Sequence, residues 1–188
     1  MEEVELLKKI KHDPESFRII FQQFYQPIFG YIYRRTGHFE DTADLAATTF
    51  YKAFINLGKF VPRGISIKVW LYRIATNETN LYFRHNRRRT RALAMFEASQ
   101  ASEWKQSLAG DKIAIQAEME QHRRFQRVQE GLKSLPVRYQ QILALRYFEG
   151  KPTKEIAEIL DKKEGTIKSL LSRGVEKLRE KVQLKSGW

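Results

Sequence analysis

Five polar residues, Arg73, Asn77, Asn80, Arg84 and Arg87, recur at intervals of 4, 3, 4 and 3. On an α-helix that spacing forms one continuous polar stripe. An Asn carboxamide carries both a donor and an acceptor, as a base edge requires, and an Arg guanidinium pairs with phosphate or stacks on a base. The stripe therefore suits a DNA strand, while an ordinary solvated helix face would show the same spacing. A second set lies near the C-terminus. There Lys168, Ser169, Ser172 and Arg173, with Glu176, fall on one side of a helix, and Ile167, Leu171, Leu178 and Val182, with Gly174 and Val175, on the other.

Little else in the chain is suited to chemistry. It has no cysteine, so disulfides, thiolate nucleophiles and Cys-based zinc sites are excluded. His12, His38, His85 and His122 are too far apart for a metal-ligand motif, and neither a Gly-rich phosphate loop nor a Gly-x-Ser-x-Gly elbow occurs. Lys151, between Gly150 and Pro152, reads as a turn residue. No enzyme activity, metal or cofactor is expected. The 188 residues carry 34 Lys and Arg against 22 Asp and Glu, a net charge of +12, which favours a polyanionic partner. Met1 to Lys9 lacks the pattern of a signal peptide, and no apolar run is long enough to span a membrane, so a cytoplasmic, soluble protein without membrane insertion is expected.

The elements that must position these residues are helical, because apolar residues recur at three and four with little alternation. Two basic blocks, 1–91 with 16 basic and 9 acidic groups and 121–188 with 16 and 8, flank a middle with 2 and 5. Ala92 to Gly110, rich in Ala, Ser and Gln, reads as a flexible linker. The expectation is an all-α fold of two small helical domains, 1–91 and 111–188, joined by the linker 92–110. Asp13-Pro14 opens a helix that Pro27 should kink and Gly37 should end, and Glu40 to Leu57 forms a second. After a loop from Lys59 to Ser66, a third runs from about Ile67 to Arg89, with Trp70, Ile74 and Leu81 on its core side. Beyond the linker, Asp111 caps a helix to about Leu135, and Pro136 starts one closing near Gly150. Thr153 to Leu160 and Glu164 to about Leu184 are then separated by three residues, the interval of a helix-turn-helix. In that motif the early turns of the second helix enter the major groove.

Three ordered blocks, FEDTADLAATTFYKAF, WLYRIATNETNLYFRHNRR and LPVRYQQILALRYFEGKPTKEIAEILDKKEGTIKSLLSRGVEKL, resemble the bacterial sigma-70 family of RNA polymerase sigma factors, in its short extracytoplasmic-function (ECF) type. The resemblance implies a promoter-specificity subunit that recognises minus-35 and minus-10 elements and assists strand opening in transcription initiation. Its partners would be promoter DNA and core RNA polymerase, through the clamp of the largest subunit and the flap of the second-largest, with an anti-sigma factor as a further partner. Asp41, Asp44, Leu45, Phe50 and Phe54 would bind the clamp. The stripe from Arg73 to Arg87 would serve the minus-10 element, with Asn77 where family members contact an unstacked base and Lys59 to Ile67 capping it. Lys168, Ser169, Ser172 and Arg173 would read the minus-35 element. The sequence departs from the family at Ala47 and Thr48, usually a Gln-Glu pair, at Leu170, commonly Arg, and at Ser172, commonly aromatic or His. Two other readings stand beside this one: a stand-alone helix-turn-helix regulator, and a sigma-like decoy that binds a partner protein, which Ala47, Thr48 and Leu170 motivate.

Overall fold

Residues 5, 10, 13–60, 64–94 and 128–184 are described by a computed structural model, without the side chains of 87–94 and of 183 and 184. Asp13 acts from just outside the first long helix. Its carboxylate accepts from the Glu15 backbone N–H at 3.1 Å and from the Ser16 hydroxyl at 2.6 Å. Pro14–Ser16 is thereby a 3-10 lead-in to α1, Phe17–Thr36. The helix continues through Pro27, which sits on its exposed face. There a carbonyl deprived of its N–H partner can turn to water. Gly37, at φ 70°, ends α1 by donating its N–H to the Tyr33 carbonyl at 2.8 Å, the left-handed cap expected of glycine.

α2, Phe39–Asn56, folds back on α1, and the buried hydroxyls of Thr36 and Thr42 meet at 2.8 Å across the turn. A 3-10 turn, Leu57–Lys59, follows. Ser66 then accepts from the Val69 N–H at 3.2 Å and starts α3, Ile67–Ala94. This helix extends beyond the expected Arg89 and into the segment read as linker. The remainder of that linker, and the helix start assigned to Asp111, lie outside the described residues.

The buried positions among the described side chains of α3 are Ile67, Val69, Leu71, Tyr72, Ala75, Thr76 and Thr79. Trp70, Ile74 and Leu81, expected on the core side, are only half-buried, and Trp70 stacks on Phe60 at 4.6 Å between ring centroids. The correction has a simple cause. α3 is covered twice, by α1 and α2 on one side and by the C-terminal half on another. Its buried arc is therefore rotated and wider than a one-sided amphipathic helix requires.

In the C-terminal half, α4 covers 128–134, and α5, Val137–Leu143, starts after Pro136 and continues as a single π turn, Ala144–Phe148. α6, Thr153–Leu160, and α7, Glu164–Leu184, agree with the expected helix-turn-helix. Gly174 lets α5 approach α7, since a Cβ there would lie 3.3 Å from the Tyr139 ring and 3.4 Å from Leu143. Leu132, Leu135, Tyr139 and Leu143 form a small core within this half. Ile142, Leu145, Ile156 and Ile159 instead belong to the cluster that holds the core of α1 to α3. All described regular structure is helical, so the all-α expectation and the two helical domains stand; the two also share a buried apolar seam.

Asp161, between α6 and α7, is left-handed at φ 51° and ψ 56°. Aspartate tolerates this region better than most residues, and a β-branched one does not. Asp161→Gly should leave stability to urea unchanged or slightly raised, whereas Asp161→Val should lower it by about 1–2 kcal/mol. Equal stability of the two variants would show that the turn relaxes out of the left-handed region.

Candidate nucleic-acid interface

On α7 the four residues expected to meet DNA share one exposed side. Lys168, Ser169, Ser172 and Arg173 are all exposed, while Ile167 is fully buried against the preceding helices. The Ser169 hydroxyl donates to the Gly165 carbonyl at 3.0 Å, so its proton is occupied and its oxygen is left to accept. Leu170 is half-buried and packed on the core, so the departure at this position exchanges a surface residue for a packing one.

The α3 stripe is divided in two. Asn77 and Arg84 are exposed, and the side chain of Arg87 lies outside the described residues. Arg73 and Asn80 face the C-terminal half. The Arg73 Nε donates to the Glu158 carbonyl of α6 at 2.7 Å. Asn80 accepts from the Arg35 guanidinium at 2.6 Å and donates through Nδ2 to the Gln141 side-chain oxygen of α5 at 3.0 Å. The stripe is thus one helical face, as the spacing required, yet two of its members hold protein instead of solvent.

A buried ionic cluster reinforces this closure. The Glu149 carboxylate, almost wholly shielded, is paired with Arg34 of α1 and accepts from the Tyr72 hydroxyl of α3 at 2.7 Å. Burial, and then the Glu149 charge, push the Tyr72 pKa well above its ordinary value. A tyrosine with a raised folded pKa contributes its full stabilisation below pH 10, and loses it as the pH climbs through the folded pKa. Lys151, read from sequence as a turn residue, is 3% exposed. Its ammonium bonds Glu155 at 2.8 Å and lies 4.3 Å from the centroid of the Tyr72 ring, and burial lowers its pKa. This role is not legible along the chain, because every partner of the ammonium except Glu155 is distant in sequence.

The residues expected at the clamp are also sorted by burial. Asp44 is exposed and Leu45 half-buried. Asp41 accepts from the Tyr82 hydroxyl at 2.7 Å; burial foremost, then this bond, push the Tyr82 pKa up to about 12. Phe54 is 45% exposed, with its edge to Phe17. Phe50 is 4% exposed and packs against Phe21 and Tyr25, so it is a core residue that supports the surface and cannot offer its ring to a partner. Exposed Phe39, Tyr51 and Ile55 were missed. Each neighbours an apolar repeat, and only the packing of α1 on α2 decides which aromatics are inside.

Comparison with known proteins gives two family matches: sigma-70 region 2 over residues 20–89, and sigma-70 region 4 over residues 125–178. Among curated proteins, the chain is 30% identical to the RNA polymerase sigma factor YlaC of Bacillus subtilis, over 89% of this chain and 92% of that one. It is 27% identical to the ECF RNA polymerase sigma factor SigW of the same organism, over 94% and 95%. Among solved structures, its fold is similar to that of CnrH in complex with the cytosolic domain of CnrY, with a TM-score of 0.68 over 99% of both chains at 17% identity. It is also similar to RpoE in complex with the anti-sigma factor NepR from Bartonella quintana, with a TM-score of 0.63 over 90% and 98% at 20% identity.

The Glu149 cluster generates a direct test of the closed packing. Glu149→Gln removes the charge that Arg34 and Tyr72 share, which should weaken closure by about 1–3 kcal/mol. Amide hydrogen exchange in α5 and α6 should rise accordingly, by roughly 5- to 150-fold. Unchanged exchange would mean that the apolar seam alone holds the halves together.

Proposed function

The chain belongs to the sigma-70 family of RNA polymerase sigma factors, in its ECF type, and from that premise we propose how its parts divide the work of a promoter-specificity subunit. Residues 1–91 dock on the polymerase clamp through the exposed side of α2, with Asp41, Asp44, Leu45 and Phe54 in contact and Phe50 behind them. Residues 111–188 place α7 in the major groove of the minus-35 element and meet the polymerase flap. Arg173 and Lys168 there donate to guanine edges or phosphates, and Ser169 and Ser172 complete the face. Asn77 acts at the minus-10 element. Its amide gains little from duplex phosphates and becomes useful once a base has left the stack.

The supporting observation is the coexistence of two exposed faces with different chemistry: a bare helix-turn-helix reading helix, and an uncharged Asn77 one turn from the Asn80 amide on α3. The two promoter elements lie about one and a half to two duplex turns apart, at ~35 Å each. A compact chain of this length is only about 40 Å across, less than that separation, so in this reading the halves separate on promoter DNA, which frees Arg73 and Asn80. Catalysis belongs to the polymerase, and the chain itself acts without cofactor in the cytoplasm. CnrH and RpoE are each found with a bound protein, CnrY and the anti-sigma factor NepR. Their likeness to the closed form supports an anti-sigma factor as a partner of this chain too.

Run-off transcription with core polymerase separates the two faces. Arg173→Ala should weaken duplex binding by about 1–3 kcal/mol. Asn77→Ala should keep duplex binding but lose strand opening, and a template with a pre-melted minus-10 region should restore transcription. Loss of duplex binding in both variants alike would contradict this division.

A further inference from the structure

Arg35 is a cation with no exposed surface and, among the described residues, no carboxylate partner. Burying such a charge costs several kcal/mol unless its donors are satisfied. Its contacts are few and directional. One terminal nitrogen donates to the Tyr31 hydroxyl at 3.1 Å and the other to the Asn80 Oδ1 at 2.6 Å. The rings of Tyr31 and Phe83 lie at 5.5 Å from the guanidinium carbon, and Nε has no acceptor among the described residues. Burial lowers its pKa, but an arginine has ample margin and stays charged.

These contacts fix which way the Asn80 carboxamide turns. A guanidinium can only donate, so the oxygen of the Asn80 carboxamide must face inward. Tyr31, accepting from Arg35, shares a further hydrogen bond with the Thr76 hydroxyl at 2.9 Å, in which either oxygen can donate. The amide nitrogen of Asn80 is thereby held outward, where it donates to the Gln141 Oε1 at 3.0 Å. Gln141, itself 7% exposed, belongs to the C-terminal half. Once the halves part, the same N–H faces away from the core, one turn beyond Asn77 and one before Arg84.

Building on the function proposed above, we infer that Arg35 is a positioning residue that makes Asn80 an obligate hydrogen-bond donor to a carbonyl of an unpaired base. Gln141 is the intramolecular stand-in for that base. The carbonyl of its side-chain amide presents the acceptor that guanine O6 or thymine O4 would supply, so closure and base reading compete for one donor. An asparagine without Arg35 could turn either end outward and would discriminate poorly. With it, the position favours guanine or thymine over adenine or cytosine, whose corresponding group is an amine.

The test is selection by holoenzyme, formed from the full chain and core polymerase, on forked DNA whose unpaired minus-10 strand is randomised. The wild type should enrich guanine or thymine at one position. Asn80→Asp keeps the shape and the hold of Arg35 but turns an acceptor outward, and Gln141 can rotate its amide to donate, so closure survives. That variant should reverse the preference toward adenine or cytosine at the same position by tenfold or more, leaving other positions unchanged. Arg35→Met should flatten the preference there and Arg35→Lys should retain it; should Arg35→Met fail to fold, the Asn80→Asp reversal decides. If the wild type selects a base and Asn80→Asp selects the same one, Asn80 reads no base and the inference is overturned alone. If the wild-type holoenzyme enriches no unpaired base at all, the minus-10 role of this half is overturned and the inference with it.

Discussion

A polar group taken out of water must find a partner, and α3 is governed by that requirement on three sides. Its apolar residues pack on α1 and α2, its hydroxyls from Tyr72, Thr76 and Thr79 are buried, and Arg73 and Asn80 of its polar stripe meet the C-terminal half. Each buried donor is met: Tyr72 by Glu149, Arg73 by the Glu158 carbonyl, and Asn80 by Gln141. An apolar side chain fully removed from water contributes about 1.5–3 kcal/mol, and a net hydrogen bond about 1 kcal/mol. The seam of Ile142, Leu145 and Ile156 therefore supplies most of the attraction between the halves, and the polar contacts fix which way they face.

That division has a functional consequence. Apolar seams are indifferent to register, whereas Glu149, flanked by Arg34 and Tyr72, accepts one docking geometry. In this geometry two stripe residues are withdrawn and the α7 reading face is left bare. Under the division of work proposed above, the closed chain would have its minus-35 surface ready while part of its minus-10 surface is covered. Such an order suits a factor that engages duplex before it opens it, and it places the energetic barrier at separation of the halves.

The local parts of this architecture were legible in the sequence. Asp13-Pro14, Gly37, Ser66 and the three residues after Leu160 carry their own capping or turn chemistry, so α1, α3, α6 and α7 start or stop close to where that chemistry puts them. The exposed face of α7 followed from its period alone. What was not legible depends on residues far apart in the chain. Lys151 sits in a turn, as its Gly and Pro neighbours indicate, and only its approach to Tyr72 makes it a buried cation. The buried arc of α3 was misplaced toward Trp70 and Leu81 because period gives a face its width only when one partner covers it. Phe50 and Phe54 have identical side chains one turn apart, and the packing of Phe21 and Tyr25 separates the core residue from the surface one.

In the proposed function one chain alternates between this closed packing and an open form on promoter DNA. With no native cysteine, the exposed Gln22 of α1 and Glu180 of α7, both away from the faces assigned to the clamp and to DNA, can each be replaced by cysteine and labelled for single-molecule energy transfer. The free protein should show one short distance between the labels, and holoenzyme bound to promoter DNA should show a distance longer by tens of ångströms, on the order of a duplex turn. A distance that stays the same from the free chain to the promoter complex would contradict the account.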